Sequence, residues 1–269
     1  MIPRLRSGQV PRLRATISTP EGKQRYVRRL FGTIADRYDF ITRALSYGQD
    51  RRWKRRLIAL AGITADDDVL DLACGTGDLL FAAAPRARSA VGLDVTLRML
   101  ELADRRAVKA RTALPSHAPR RTPHHLVQGD MLHLPFADGR FTLVTTGYGL
   151  RNVPDLAQAI AEIHRVLAPG GRLLSLDFNR PANAFVRAVY LGYLTIVGSL
   201  FGLALHGDPD TYRYIPESIR GYPGAAGVAR LLEQAGFAHV QVIPLLGGLM
   251  ALHIATGTAP NARATAPAP

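Results

Sequence analysis

The amino-acid sequence predicts an α/β domain whose mostly parallel sheet is covered by helices on both faces. Three observations lead there. From residue 66 onward short strands alternate with helices. The strands are apolar along their length, as in sheets buried on both sides. The two last strands follow each other without a helix between them, which predicts a terminal antiparallel hairpin.

The elements run as follows. "DDDVLDLA" is a first apolar strand and "GDLLFAAAPRA" a helix; "SAVGLD" is the second strand, followed by a helix through "VTLRMLELADRRAVKARTA". "HHLVQGD" and "GRFTLVTT" are the third and fourth strands, with "APRRTPHH" as a surface insertion before the third. "PDLAQAIAEIHRVLAPGG" is amphipathic, with Leu156, Ile160, Ile163 and Leu167 at helical spacing and Pro-Gly-Gly as its stop. "GRLLSLDF" is the fifth strand, "AAGVARLLEQAGF" a helix, and "HVQVIPLL" and "LMALHIATG" the closing pair, seven strands in all.

Composition bounds the function. At 269 residues and 47% hydrophobic, the chain suits one generous domain with appendages. Its single cysteine, Cys74, excludes a disulfide framework and a cysteine-based zinc site, and points to a reducing compartment. No His/Asp/Glu cluster has metal-ligand spacing, so no metal is expected. The net charge of +13 is concentrated in the first 29 residues and in "DRRWKRR" around Trp53. Such charge suits nucleic acid, an anionic membrane surface or plain solubility; without a nucleic-acid motif the first of these ranks last.

The N-terminus has no apolar core for a secretory signal. It is Arg-rich and acid-poor, as organelle transit segments are, but Pro3, Gly8 and Pro11 break any amphipathic helix. A disordered start in a bacterial cytoplasmic protein is therefore expected. "FVRAVYLGYLTIVGSLFGLALHG" (185–207) approaches the roughly 20 residues that span a bilayer. Arg187, the glycines at 192, 198 and 202, and the polar "HGDPD" argue instead for two short apolar helices. They would wall a greasy pocket or lie on a membrane, with simple core packing as the plain alternative.

The most informative stretch is "VLDLACGTGD". A strand ends in Asp71 and runs through Gly75-Thr76-Gly77 into a helix, where glycines let backbone N–H groups approach a ligand. Asp94, nineteen residues after Gly75, ends the next strand where a carboxylate can take both hydroxyls of a ribose. Leu80 stands where a pyrophosphate fingerprint needs Gly or Ala, so a ligand without phosphates, such as S-adenosylmethionine, fits better. Asp130 and Met131 at the end of the third strand would face adenine, one through a polar group and one through an apolar face. The plainer readings are a helix cap for Asp94 and a turn residue for Asp130.

With "LFGTIADRYDFITRALSYGQDRRWKR", "GLDVTLRML", "LPFADGRFTLVTTGYGLRNV", "HRVLAPGGRLLSLDF" and "YRYIPESIRGYP" beside that loop, the chain resembles the ubiquinone/menaquinone biosynthesis C-methyltransferase family over roughly residues 26–257. The resemblance implies a Rossmann-like class I S-adenosylmethionine-dependent methyltransferase that methylates a ring carbon of a polyprenylated quinol. Thr76, Asp94, Asp130, Met131 and Gly147 fall at cofactor-contacting positions. Two residues depart from the pattern: Thr42, where the family usually has Asn, and Gly147, where Ser or Thr is common.

The chain then divides into a disordered basic arm (1–22), a methyltransferase domain (23–257) and a disordered tail (258–269). Within the domain, 23–62 forms an N-terminal helical lid and 180–222 an apolar helical insertion. The expected reaction converts a demethylmenaquinol to a menaquinol. The benzoquinol step of ubiquinone synthesis is the nearest rival, and a non-catalytic cofactor-binding scaffold is the alternative of another class. A homodimer and peripheral contact with the membrane surface, from the cytoplasm, are also expected.

Catalysis needs placement of the acceptor carbon and stabilisation of a developing phenolate. Arg151 and Asn152, just after the fourth strand, supply a cation and an amide there; Tyr38 on the lid is the third candidate. The plain alternatives are an ion pair for Arg151, a helix cap for Asn152 and helix packing for Tyr38. Arginine is a poor base, which leaves water, Tyr38 or His253 to take the proton, His253 being equally readable as a core histidine.

Overall fold

The structure, a computed structural model, describes residues 10–112 and 124–258. The chain opens with helices α1 (Val10–Ile17), α2 (Pro20–Ile34), α3 (Tyr38–Leu45) and α4 (Asp50–Leu60). Then follow β1 (Asp68–Leu72), α5 (Asp78–Ala83), β2 (Ser89–Asp94), α6 (Leu97–Thr112), β3 (His124–Gln128), β4 (Phe141–Gly147), α7 (Leu156–Val166) and β5 (Leu167–Phe178). The chain continues through α8 (Ala184–His206), α9 (Tyr214–Gly221), α10 (Gly224–Gln234), β6 (Phe237–Leu245) and β7 (Met250–Gly257). The seven strands form one sheet in the order β3-β2-β1-β4-β5-β7-β6. Strands β1 to β5 pair in parallel, whereas β7 runs antiparallel between β5 and β6, so the hairpin is inserted at the edge.

The local causes are those the sequence suggests. Strand β1 is buried at every position, the mark of a central parallel strand. Helix α7 starts where the Asp155 side chain accepts a hydrogen bond from Gln158 N at 3.0 Å, and its apolar face packs Ile160, Ile163 and Val166 into the core. It stops at Val166, sooner than the Pro-Gly-Gly stop: Leu167 is already extended and pairs with Phe141 across a bulge that takes up the following residues.

Two sequence expectations change. Residues 10–17 are helical and α2 begins at Pro20, so the arm expected to be disordered through residue 22 is ordered from residue 10. Pro11 and Pro20 each sit in a first helical turn, where the missing N–H costs nothing. The tail from 259 and the insertion up to residue 123 lie outside the described residues.

The segment expected as two short helices is one helix of 23 residues, capped by Asn183 and closed by left-handed Gly207. Its inner glycines permit contact without breaking it. A Cβ on Gly202 would lie 2.4 Å from the backbone oxygen of Asp208, and one on Gly198 would meet Tyr212 at 3.3 Å. Helix α8 thereby packs Val197, Phe201 and Leu205 against Ile34, Ile41 and Leu45 of α2 and α3.

Candidate active site

The parallel strands point their carboxyl ends at one crevice. After β1 the chain turns through Ala73, Gly75 and Gly77, all in the left-handed region (φ 49°, 54° and 87°). A Cβ on Gly75 would meet no atom within 4 Å, so the loop leaves an open backbone cradle facing the crevice. After β4, Tyr148 is also left-handed (φ 63°). Two strained non-glycine residues therefore flank the same crevice, as is common where a site is preorganised.

The acids at the strand ends hold this cradle. Asp94, buried, accepts from Gly75 N at 2.9 Å and from Thr96 N at 2.8 Å. It ties the glycine loop to the start of α6. Burial pushes its carboxyl above the usual range, and the two N–H groups pull it back. Asp71 accepts from Thr145 Oγ1 at 2.8 Å and Leu80 N at 3.0 Å, and burial raises it to about 7. Asp130 accepts from Leu132 N at 3.0 Å as an Asx turn, and the Gln24 amide of α2 donates to its other oxygen.

Three connected spaces meet here. One of about 740 Å³ runs past Asp94, Met99, Asp130, Met131 and Gly147, with Phe31 of α2 as its outer wall. A recess of about 340 Å³ lies between Lys54, Asp71, Thr76 and Asp78. The third, about 870 Å³, is walled by apolar side chains of α2, α3 and α8. Tyr38 and Tyr148 border all three. Burial raises the Tyr38 phenol, opposed by the positive charges of Lys54 and Arg151.

Arg151 stands in the wall of the apolar space and is 6% exposed. Asp177, at the end of β5, accepts from its backbone N at 3.1 Å and lies 3.4 Å from its Nε. Close enough to attract, that carboxylate is not aligned to accept, so Nε is buried without a hydrogen-bond partner among the described residues. The guanidinium lies 4.7 Å from the Phe178 ring centroid. Its Nη1 donates to Asn152 Oδ1 at 2.8 Å, and Asn152 Nδ2 donates to Tyr148 O at 2.8 Å. Asn152 thus braces the turn after β4; Asp155 caps α7. From α2, Lys23 Nζ donates to Arg151 O at 2.9 Å and Val153 O at 2.6 Å. Burial and the Arg151 charge depress Lys23 to about 8.

The sequence candidates Asp71, Gly75, Thr76, Gly77, Asp94, Asp130, Met131, Gly147, Tyr38, Arg151 and Asn152 all cluster at this crevice or its loop. Thr76 donates to Asp39 Oδ1 of α3 at 2.7 Å and accepts from Arg106 Nη1 at 2.9 Å, which joins the loop to the N-terminal helices. His253 does not face the crevice. It is buried between Ser175 Oγ and Ala225 O, at 3.3 and 2.9 Å, as a core histidine whose burial lowers its pKa.

Sequence reasoning missed Lys23, Gln24, Asp50, Lys54, Asp78 and Asp177. Lys54 was hidden in a run of like charges, although it alone of the five turns inward to pair with Asp50 and Asp78 at 2.9 Å each. Among the described residues no group of three or more His, Cys, Asp or Glu could hold a metal ion.

Comparison with known proteins agrees with this geometry. A model of the ubiE/COQ5 methyltransferase family matches residues 19–257. The chain is 39% identical over 227 residues to the demethylmenaquinone methyltransferase of Thermus thermophilus, covering 84% of this chain and 98% of that protein. It is 36% identical over 233 residues to the one of Lactiplantibacillus plantarum, covering 86% and 95%. Among solved structures, a candidate S-adenosyl-L-methionine-dependent methyltransferase from Methanococcus maripaludis superposes with a TM-score of 0.58 at 22% identity, covering 86% of this chain and 95% of that one. At that identity the likeness speaks for the fold alone: a Rossmann-like methyltransferase sheet.

Proposed function

The chain belongs to the ubiE/COQ5 methyltransferase family, and from that premise we propose that it methylates a demethylmenaquinol to a menaquinol with S-adenosylmethionine as donor. The observation that carries the reading is an apolar space walled by α2, α3 and α8, with Arg151 in its wall, that shares Tyr38 and Tyr148 with the space past Asp94, Asp130 and Met131. An apolar ring with a greasy tail fits the first; a phosphate-free nucleoside fits the second. The test is to purify the protein and supply labelled donor with a demethylnaphthoquinol or a 2-methoxy-6-alkyl-1,4-benzoquinol. Label in the naphthoquinol is the expected result; label in the benzoquinol alone would move the protein to the ubiquinone branch.

The residues fit the cofactor. Asp94 would take the ribose hydroxyls; Asp130 and Met131 would meet the adenine edge and face. Gly75, Thr76 and Gly77, with Asp71 beneath them, would line the amino-acid end, and the backbone at Gly147 would approach the sulfur. When bound, the cofactor supplies an electrophilic methyl on a sulfonium. The protein's part is then to seat the quinol beside it and stabilise the phenolate. Arg151 does this through its guanidinium, Asn152 fixes the turn that carries it, and Tyr38 orients the ring. The buried, apolar wall strengthens each of these charges by excluding water.

A tail-bearing quinol also implies a membrane source. We assign the contact to α8, whose outer face exposes Phe185, Val189, Ile196, Leu200 and Leu203, with Tyr47 and Leu246 exposed at the rim of the apolar space. The helix is long and apolar enough to cross a bilayer. Its inner face, however, is committed to α2, α3 and the 212–219 segment, which favours lying on the surface. Replacing Ile196 and Leu200 with Asp should abolish flotation with anionic liposomes while leaving kcat on a short-tailed quinol unchanged. Retained flotation would move the contact elsewhere, for instance to the exposed arginines of α4.

A further inference from the structure

Each methylation must release one proton from the acceptor, and the sequence leaves water, Tyr38 or His253 to take it without a path out of the buried site. His253 faces the core, and an arginine does not serve as a base. Burial raises the Tyr38 phenol, and the contact with the Thr42 side chain on its own helix offsets that only in part. Lys54 is no acceptor either: although burial opposes it, Asp50 and Asp78 hold it cationic.

We propose that the proton leaves through Tyr148 to Asp50, which passes it to water in an open groove on the far side of α4. The proposal rests on the quinol reading above and supplies the acceptor that reading lacks. Tyr148 borders the apolar space and the cofactor-side space together. Its left-handed backbone is held by a 2.7 Å bond from its N to Leu176 O. The phenol Oη donates to Asp50 Oδ1 at 2.7 Å, with both residues buried.

Lys54 lies 2.9 Å from the second Asp50 oxygen and 5.5 Å from the Tyr148 ring centroid. Asp50 also lines a wide groove of about 1650 Å³ that carries Arg43, Arg51 and Arg55. A carboxylate is thus reached from the acceptor side through one phenol, and opens toward water on the other.

The step balances. The acceptor hydroxyl gives its proton to Tyr148 Oη as that oxygen gives its own to Asp50 Oδ1, so the phenol ends neutral, as burial requires. The electron pair left on the acceptor oxygen becomes the phenolate that Arg151 faces. Once the ring carbon has taken the methyl, that carbon gives its own proton to the oxygen, the C–H electron pair restores the ring, and one proton in all has left by the relay. Asp50 returns to its carboxylate by losing the proton to groove water.

The decisive experiment is single-turnover methyl transfer to a short-tailed quinol, with cofactor Kd measured in parallel. Tyr148→Phe keeps the ring and removes only the hydroxyl. Asp50→Asn keeps an acceptor for the hydroxyl but cannot take a proton. Each should lower the rate about 10²-fold with Kd unchanged. The double variant should be no slower than the worse single one, and formate should restore Asp50→Ala but not Tyr148→Phe. A bracing role would give no formate rescue. Tyr148→Phe within threefold of wild type, or losses that multiply, would overturn the relay while leaving quinol methylation standing. A wild type inert toward every quinol would overturn both.

Discussion

Arg151→Ala should lower kcat about 10³-fold while cofactor Kd stays within a few-fold of wild type. The size follows from the removal of a buried charge aimed at a developing oxyanion, an effect worth about 10²- to 10³-fold even for one neutral donor. Arg151 is suited to that role because its surroundings fix the guanidinium without consuming it. Phe178 stacks on one side, Asn152 takes one arm, and Nε points at Asp177 without a formed hydrogen bond. Lysine would lose the stack and the second arm, so Arg151→Lys should still fall about 10²-fold.

The competing role is structural, because Arg151 and Asp177 form a buried pair. Breaking such a pair costs about 3 kcal/mol or more of stability. Burial already raises the Asp177 carboxyl and Arg151 holds it down, so in the variant the Asp177 carboxyl rises further. The two roles separate by temperature. A structural residue lowers Tm but leaves kcat near normal well below the melting point, whereas the phenolate role predicts the full loss in cofactor-loaded, folded protein.

What was legible in the sequence was what a few adjacent residues decide. The order of strands and helices follows from periodicity, and the cradle follows from Gly75 and Gly77 placed between two strand-end acids. Of the apolar space only one wall, the 185–207 segment, was legible, because its other walls come from α2, α3 and the turn before β7, brought together only by tertiary packing. The glycines of α8 illustrate the difference. In sequence they punctuate an apolar run and suggest a break; in the fold Gly198 and Gly202 are the points where Tyr212 and the 208–209 backbone press against a continuous helix.

Charge hid information in the same way. Lys54 looks like its four basic neighbours until burial sets it against Asp50 and Asp78. Tyr148 sat in plain view between two glycines, but its importance depends on Asp50, 98 residues away. Lys23 and Gln24 lie in a segment expected to be the edge of a lid, yet they bond to the turn after β4 and to Asp130 across more than 100 residues. Through these two residues α2 is tied to the crevice wall on both sides.

Asp94→Ala should weaken cofactor binding by about 10²- to 10³-fold. A hydrogen bond to a charged group contributes about 1.5–3 kcal/mol, and the carboxylate can take two hydroxyls. At 1.4 kcal/mol per tenfold, about 3–4 kcal/mol gives that range. Asp94 also accepts from Gly75 N and Thr96 N, so the variant leaves two backbone donors seeking partners and loosens the cradle itself. Asn is no remedy: its amide nitrogen would face one of those two N–H groups, donor against donor, and Asp94→Asn should lose most of the same affinity.

The plain reading of Asp94 as a cap for α6 makes a different forecast. A cap lost costs about 1 kcal/mol of stability and would leave binding within a few-fold. Calorimetric titration of the cofactor decides between them, with kcat at saturating donor as the second measurement. Asp94 touches no acceptor, so kcat should recover once the site is filled. A Kd within threefold of wild type would return Asp94 to the cap, and the ribose would need another partner.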